Sequence, residues 1–207
     1  MCKFAKMSGR PYLLIDSATP TTQVVMVEGK TVLGSEIYSG NAADGITVAL
    51  GKLFLKMRCT FDNFDGMIYC GGPGSALGLR TALVSINTWV IFGNRGYKLL
   101  TYDALAMGIC LNQGARMICT YGSGDNLIVK ARDNGAIRIS TIDGLGFSDD
   151  ILFLDTRRMR CEKYQKFPPA NYDISTANFD ILSICEIANG ELKNYGDGNH
   201  KKWSRNP

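Results

Sequence analysis

A chain of 207 residues holds one large domain or two small lobes and leaves no room for three. Hydrophobic residues at 45% and charged residues at 20% exclude a disordered chain, and no apolar run reaches the roughly 18 residues that a membrane-spanning helix needs. The net charge of +4 permits contact with nucleic acid without requiring it.

In chain order, residues 1–10 carry Lys3, Lys6 and Arg10 without the apolar stretch of a signal peptide, so the expected location is cytoplasmic, with no membrane contact. Tyr12–Asp16 (YLLID) reads as a buried strand ending in the turn-rich Ser17-Ala18-Thr19-Pro20. Gln23–Val27 and Thr31–Tyr38 flank Glu28-Gly29-Lys30 and predict two antiparallel strands. Over 45–58 the apolar period changes: Ile46, Ala49, Leu50, Leu53, Phe54 and Met57 fall at helical steps of three and four. Gly66–Gly71 predicts a central parallel strand.

Gly71-Gly72-Pro73-Gly74-Ser75 then leads into a helix expected over 81–92. Glycine permits positive φ and close backbone approach, Pro73 fixes φ, and Ser75 can cap the helix. Two readings stay open for this turn, a structural one that aims the helix and a phosphate-binding one at the helix N-terminus. The helix itself is apolar nearly all round. Leu79, Ala82, Leu83, Ile86 and Val90 form one stripe, while Val84, Trp89 and Ile91 lie off it, so the helix is expected to be covered on more than one side.

Lys98–Thr101 predicts a strand and Tyr102–Gln113 a helix opening at Asp103 and stopped by Gly114. Arg116–Tyr121, Asn126–Ala131 and Ala136–Thr141 are three further strands, Ile151–Asp155 another, and Ser175–Ala188 a short helix. The three-strand opening recurs. This predicts an N-terminal lobe over 11–112 and a smaller, truncated C-terminal lobe over 113–190, with flexible termini at 1–10 and 191–207.

Seven scattered cysteines, never spaced C-x-x-C, fit neither a disulfide framework nor a zinc ribbon. The single histidine, His200, lies in a polar tail. Ser-His-Asp and Cys-His systems and most catalytic zinc sites need a rigidly held imidazole, so no hydrolase of those types and no metal site is expected. Two basic runs, Arg157 to Lys166 and Lys201 to Arg205 with Trp203, could meet phosphates but read first as solvated surface.

Tyr12–Thr19 (YLLIDSAT), the three-strand opening, and Gly72-Pro73-Gly74-Ser75 followed by Gly78-Leu79-Arg80 resemble the TsaB (YeaZ) family. Its members read I-D-T-S near the start and G-P-G-S-F-T-G-L-R before the second helix. Here Ala76-Leu77 replaces Phe-Thr, and Asn41-Ala42-Ala43 stands where a His-Ser pair opens the first helix. Thr120 to Asp125 occupies the place of the family's Asp-Ala-Arg-x-Gly-Glu segment.

The resemblance implies an α/β protein with the two-lobed actin-like ATPase (ribonuclease H-like) fold, each lobe a mixed sheet with helices. It also implies a non-catalytic subunit in threonylcarbamoyl-adenosine modification of tRNA next to the anticodon. Such a subunit pairs its first two helices with a TsaD-type transferase subunit, works with a TsaE-type ATPase, meets tRNA only indirectly, and dimerises when alone. The interface positions carried over are Ile46, Ala49, Leu50, Leu53, Leu79, Ala82, Leu83 and Ile86. The family-motif positions are Asp16, Gly72, Pro73, Gly74, Ser75, Gly78 and Arg80.

No catalytic residue and no cofactor of its own are expected, with ATP or ADP binding, or a nucleotide at the partner interface, left open. Arg80 is expected to pair with a carboxylate or carbonyl. Asp16 stands where actin-like ATPases place the acid that holds nucleotide-bound magnesium through water, and its structural reading is an Asp that caps its own turn. The alternative function is an ATP-dependent small-molecule kinase or transferase of the same superfold.

Overall fold

The structure is a computed structural model and describes residues 9–92, 96–122, 126–133, 135–146, 148–154 and 167–188. His200, both basic runs and most of the turn at 122–125 lie outside the described residues.

The first sheet has the order β10-β5-β4-β1-β2-β3. Its strands are β1 (Tyr12–Asp16), β2 (Thr21–Glu28), β3 (Thr31–Ser39), β4 (Gly66–Cys70), β5 (Lys98–Tyr102) and β10 (Glu186–Ile187). β1 pairs antiparallel with β2 and parallel with β4, and β4 pairs parallel with β5. The central strands alternate between two cores. Leu13, Ile15, Val24, Met26, Met67 and Tyr69 face the helices α1 (Ala42–Met57) and α2 (Ala76–Phe92). Leu14, Val25, Val27, Ile68 and Cys70 face α3 (Ala104–Leu111) and the second lobe. Burial on both faces explains why these strands read as nearly unbroken apolar runs.

The second sheet, β8-β7-β6-β9, repeats the pattern in shorter form. β6 (Met117–Tyr121), β7 (Asn126–Ala131) and β8 (Ile137–Thr141) are antiparallel neighbours, and β9 (Ile151–Phe153) runs parallel to β6 as β4 does to β1. Between β8 and β9 the helix has shrunk to one turn, α4 (Ile142–Leu145). α3 lies between the two sheets. A Cβ on its Gly108 would sit 3.2 Å from the Ile118 side chain and 3.6 Å from that of Leu154, so glycine there lets the second sheet approach closely.

Three expectations are corrected. α3 stops at Asn112, whose backbone N–H donates to the Gly108 carbonyl, two residues before Gly114. The helix expected over 175–188 is two 3-10 turns, Ile174–Thr176 and Ile181–Ile184, followed by β10. Asp173 and Asp180 each cap one turn by accepting from the backbone N–H two residues on, and the chain then extends to pair with β5. The lobe boundary at 113–190 also shifts, because Ile174 and Ile181 are buried in the core shared with Leu14 and Val25, and β10 completes the first sheet. The second sheet therefore draws on residues 117–154 with the strand-like segment at 168–170, and the chain ends its described course on the first lobe.

Candidate functional site

The motif residues converge where the ends of β1 and β4 meet the start of α2. Gly72 has φ +103, a left-handed value that glycine tolerates, and precedes a cis peptide bond to Pro73. A Cβ on Gly74 would lie 2.5 Å from the Ala18 carbonyl oxygen, and one on Gly78 only 2.0 Å from that of Ser17. The turn thus clasps the Ser17-Ala18 backbone directly. The Ser75 N–H donates to the Ala18 carbonyl at 2.7 Å, and the Ser75 hydroxyl accepts from the Gly78 N–H at 3.2 Å. The cap expected of Ser75 is present, and α2 begins at Ala76, a full turn before the expected start. The chain's own carbonyl and hydroxyl take donors that an anion would use, which is the structural reading of the turn.

Asp16 is fully buried. One carboxylate oxygen accepts the Ala18 N–H at 2.7 Å, the turn-capping role expected of it. The other accepts the hydroxyls of Tyr102, at the end of β5, and of Tyr172 at 2.8 Å. Burial raises the Asp16 pKa from its ordinary 3.8, opposed by the hydrogen bonds from Tyr102, Ala18 and Tyr172. Burial, and then the Asp16 carboxylate, push both tyrosine hydroxyls and the Cys70 thiol well up. Ser17 and Thr22 share a hydroxyl pair at 3.0 Å beside this cluster.

A proton that the native carboxyl holds and the unfolded chain releases makes stability fall as pH rises from 3.8 through the raised native value. We expect Asp16→Asn to remove that contribution. Urea unfolding from pH 4 to 7 should therefore show wild type losing stability relative to the variant as pH rises. A parallel pair of curves would contradict the assignment.

The expected interface residues are placed differently. Ile46, Ala49, Leu50, Leu53, Leu79, Ala82 and Ile86 are buried and Leu83 is half-buried. Six of the seven buried ones, with Leu83 against them, pack in the core under α1 and α2, and Leu79 packs in the core on the other side of the sheet. The reason is physical: the richest apolar stripe of each helix covers the inner face of its own sheet. What remains outward on α2 is Leu77, Val84, Ile91 and Phe92, which are 72, 64, 73 and 82% exposed. On α1 it is Val48 and Leu55. Leu77, Val84 and Ile91 recur every seven residues and so share one face. Thr81 and Thr88 lie between them, and each hydroxyl donates at 2.8 Å to the carbonyl four residues back, to Leu77 and Val84. Their donors are thereby satisfied within the helix. Arg80 is exposed on α2.

Tyr102, Tyr172 and Gln23 were not marked by the sequence reading. Gln23 carried a signal, a polar residue opening the apolar QVVMV run, which a buried strand must supply with partners. Tyr172 carried none, since its partner lies 156 residues away.

No family model matches this chain, and no curated protein matches it by sequence. Solved structures do match by fold. YeaZ from Pseudomonas aeruginosa superposes with a TM-score of 0.51 at 17% identity, over 64% of this chain and 65% of that one, a little under two thirds of its length. A protein described as uncharacterized, with similarity to peptidase YeaZ from Pseudomonas aeruginosa, reaches 0.56 at 16% identity, over 84% of this chain and 89% of that one. Together with the doubled β-β-β-α-β pattern, these likenesses establish a two-lobed, actin-like α/β fold shared with YeaZ.

Proposed function

We propose that this protein is a divergent, non-catalytic subunit of the TsaB (YeaZ) type. It serves threonylcarbamoyl-adenosine modification of tRNA by docking its first two helices on a TsaD-type transferase subunit, in an assembly that includes a TsaE-type ATPase. Alone, it pairs with a second copy of itself through the same helices. The observation that carries this reading is the outward face of α2, where Leu77, Val84 and Ile91 form an apolar stripe with Phe92 beside it. An aligned apolar face of that kind on a folded chain marks an interaction surface.

Three further points support it. The clasp of the Gly72 to Gly78 segment on Ser17-Ala18 fixes the direction of α2 relative to the sheet. β-branched Thr81, Val84, Thr88 and Ile91 make a stiff, shallow ridge that a partner helix can approach closely at little cost in side-chain entropy. Asp16, the residue that nucleotide chemistry would recruit, spends its acceptor capacity on Ala18, Tyr102 and Tyr172.

The test is co-purification of the tagged full chain with a TsaD-type subunit, wild type against Val84→Glu. Retention by wild type and loss by the variant is the expected result. The same preparation should show no ATP turnover. Hydrolysis that Asp16→Ala abolishes would replace this reading with an ATP-dependent kinase or transferase.

A further inference from the structure

The segment at 168–174 crosses from one lobe to the other and is fastened at both ends. On the second lobe it lies along β9: the Phe153 N–H donates to the Pro168 carbonyl and the Ala170 N–H to the Phe153 carbonyl, each at 2.8 Å. At the junction with α3, Asn112 and Asn171 bond reciprocally, the Asn171 N–H donating to Asn112 Oδ1 at 2.9 Å and Asn112 Nδ2 to the Asn171 carbonyl at 2.8 Å. On the first lobe, Gln23 grips the backbone with both ends of its amide. Its Nε2 donates to the Tyr172 carbonyl at 2.5 Å, and its Oε1 accepts the Ile174 N–H at 2.8 Å. Tyr172 then caps Asp16, and Ile174 is buried in the core common to both lobes.

We propose that residues 168–174 form an intramolecular latch that fastens the two lobes together and bars Asp16 from any cation or ligand hydroxyl. Gln23 is 2% exposed in the first sheet, so a carboxamide there is costly unless both of its ends are satisfied. The strap backbone is what satisfies them. Among the described residues the Asp16 carboxylate accepts from Ala18, Tyr102 and Tyr172, and the Tyr172 phenol, carried by the strap, stands on its interlobe side. A metal ion or substrate oxygen reaches the carboxylate only after the strap leaves. The anchors are spread over β2, β9 and the end of α3, so the strap leaves as a unit rather than residue by residue. This inference does not depend on the assembly role proposed above.

Amide hydrogen exchange on the full-length protein tests it. Gln23→Ala removes one anchor and should speed exchange about tenfold across residues 170–174, the remote Ala170 and Asn171 amides included, as expected when a buried hydrogen-bonding group is lost. Asn112→Ala, at the junction with α3, should speed exchange at Ile174 in return, which keeps the test sharp if the strand variant folds poorly. In wild type, saturating magnesium and ATP should leave these rates unchanged. A change confined to the amides bonded directly to the altered side chain would overturn the latch as a unit. A shift of the strap's exchange on adding magnesium and ATP to wild type would overturn the exclusion of ligand.

Discussion

Leu50→Glu should unfold the protein, whereas Val84→Glu should leave it folded and abolish its association. Leu50 is 7% exposed within the core that joins α1 to the inner face of the first sheet. Truncating such a leucine alone costs roughly 2 to 5 kcal/mol, and a carboxylate in its place adds the penalty of an unpaired buried charge. The sum approaches the whole stability of a typical domain, about 5 to 15 kcal/mol. Val84 is 64% exposed near the middle of α2, where a substitution changes stability by no more than about 0.5 kcal/mol. Glutamate is also the better helix former. Thermal unfolding and analytical sedimentation, run on both variants, separate the two effects. A wild-type melting curve with a lost dimer is the expected signature of Val84→Glu. A wild-type melting curve for Leu50→Glu would mean that α1 presents the opposite face.

That contrast shows where sequence reasoning reached and where it stopped. The succession of elements in the first lobe was legible because β1, β2 and β4 are runs buried on both faces, and the period change at Gly45 reveals α1, although the helix starts three residues earlier at Ala42, capped by Asn41. The surplus of apolar surface on α2 was legible as well, since Val84 and Ile91 fall off the main stripe. Which stripe faces outward was not, because periodicity fixes how residues group on a helix but not which group meets the sheet. Here the dense stripe goes inward and the sparse one outward.

The return of the chain to the first lobe was invisible for a different reason. β10 is two residues long with both side chains exposed, and the contacts from 168–174 to Gln23 and Asp16 are long-range pairings of single polar groups with no local pattern. Asp173 and Asp180 did carry a local signal for short capped turns. The apolar spacing over 175–188 masked it.

The glycines of the turn make the second large prediction, and their sign can be checked within the same molecule. Gly78→Ala places a methyl group 2.0 Å from the Ser17 carbonyl oxygen, a backbone atom in the turn that positions Asp16 and receives Ser75. Neither side can yield without moving β1 or tilting α2, so the cost lies at the upper end for overpacking, about 3 kcal/mol or more. In a chain of this length that lowers the melting temperature by roughly 6 °C or more. Gly51→Ala is the control. Gly51 is exposed in the interior of α1, and beyond the neighbouring backbone of its own helix no described atom lies within 4 Å of the added Cβ, so alanine should stabilise by about 0.5 to 1 kcal/mol through helix propensity alone. Opposite shifts for two identical substitutions in adjacent helices would tie the motif glycine to close backbone approach. A neutral Gly78→Ala would mean that α2 does not rest on Ser17, and the clasp that aims its outer face would be absent.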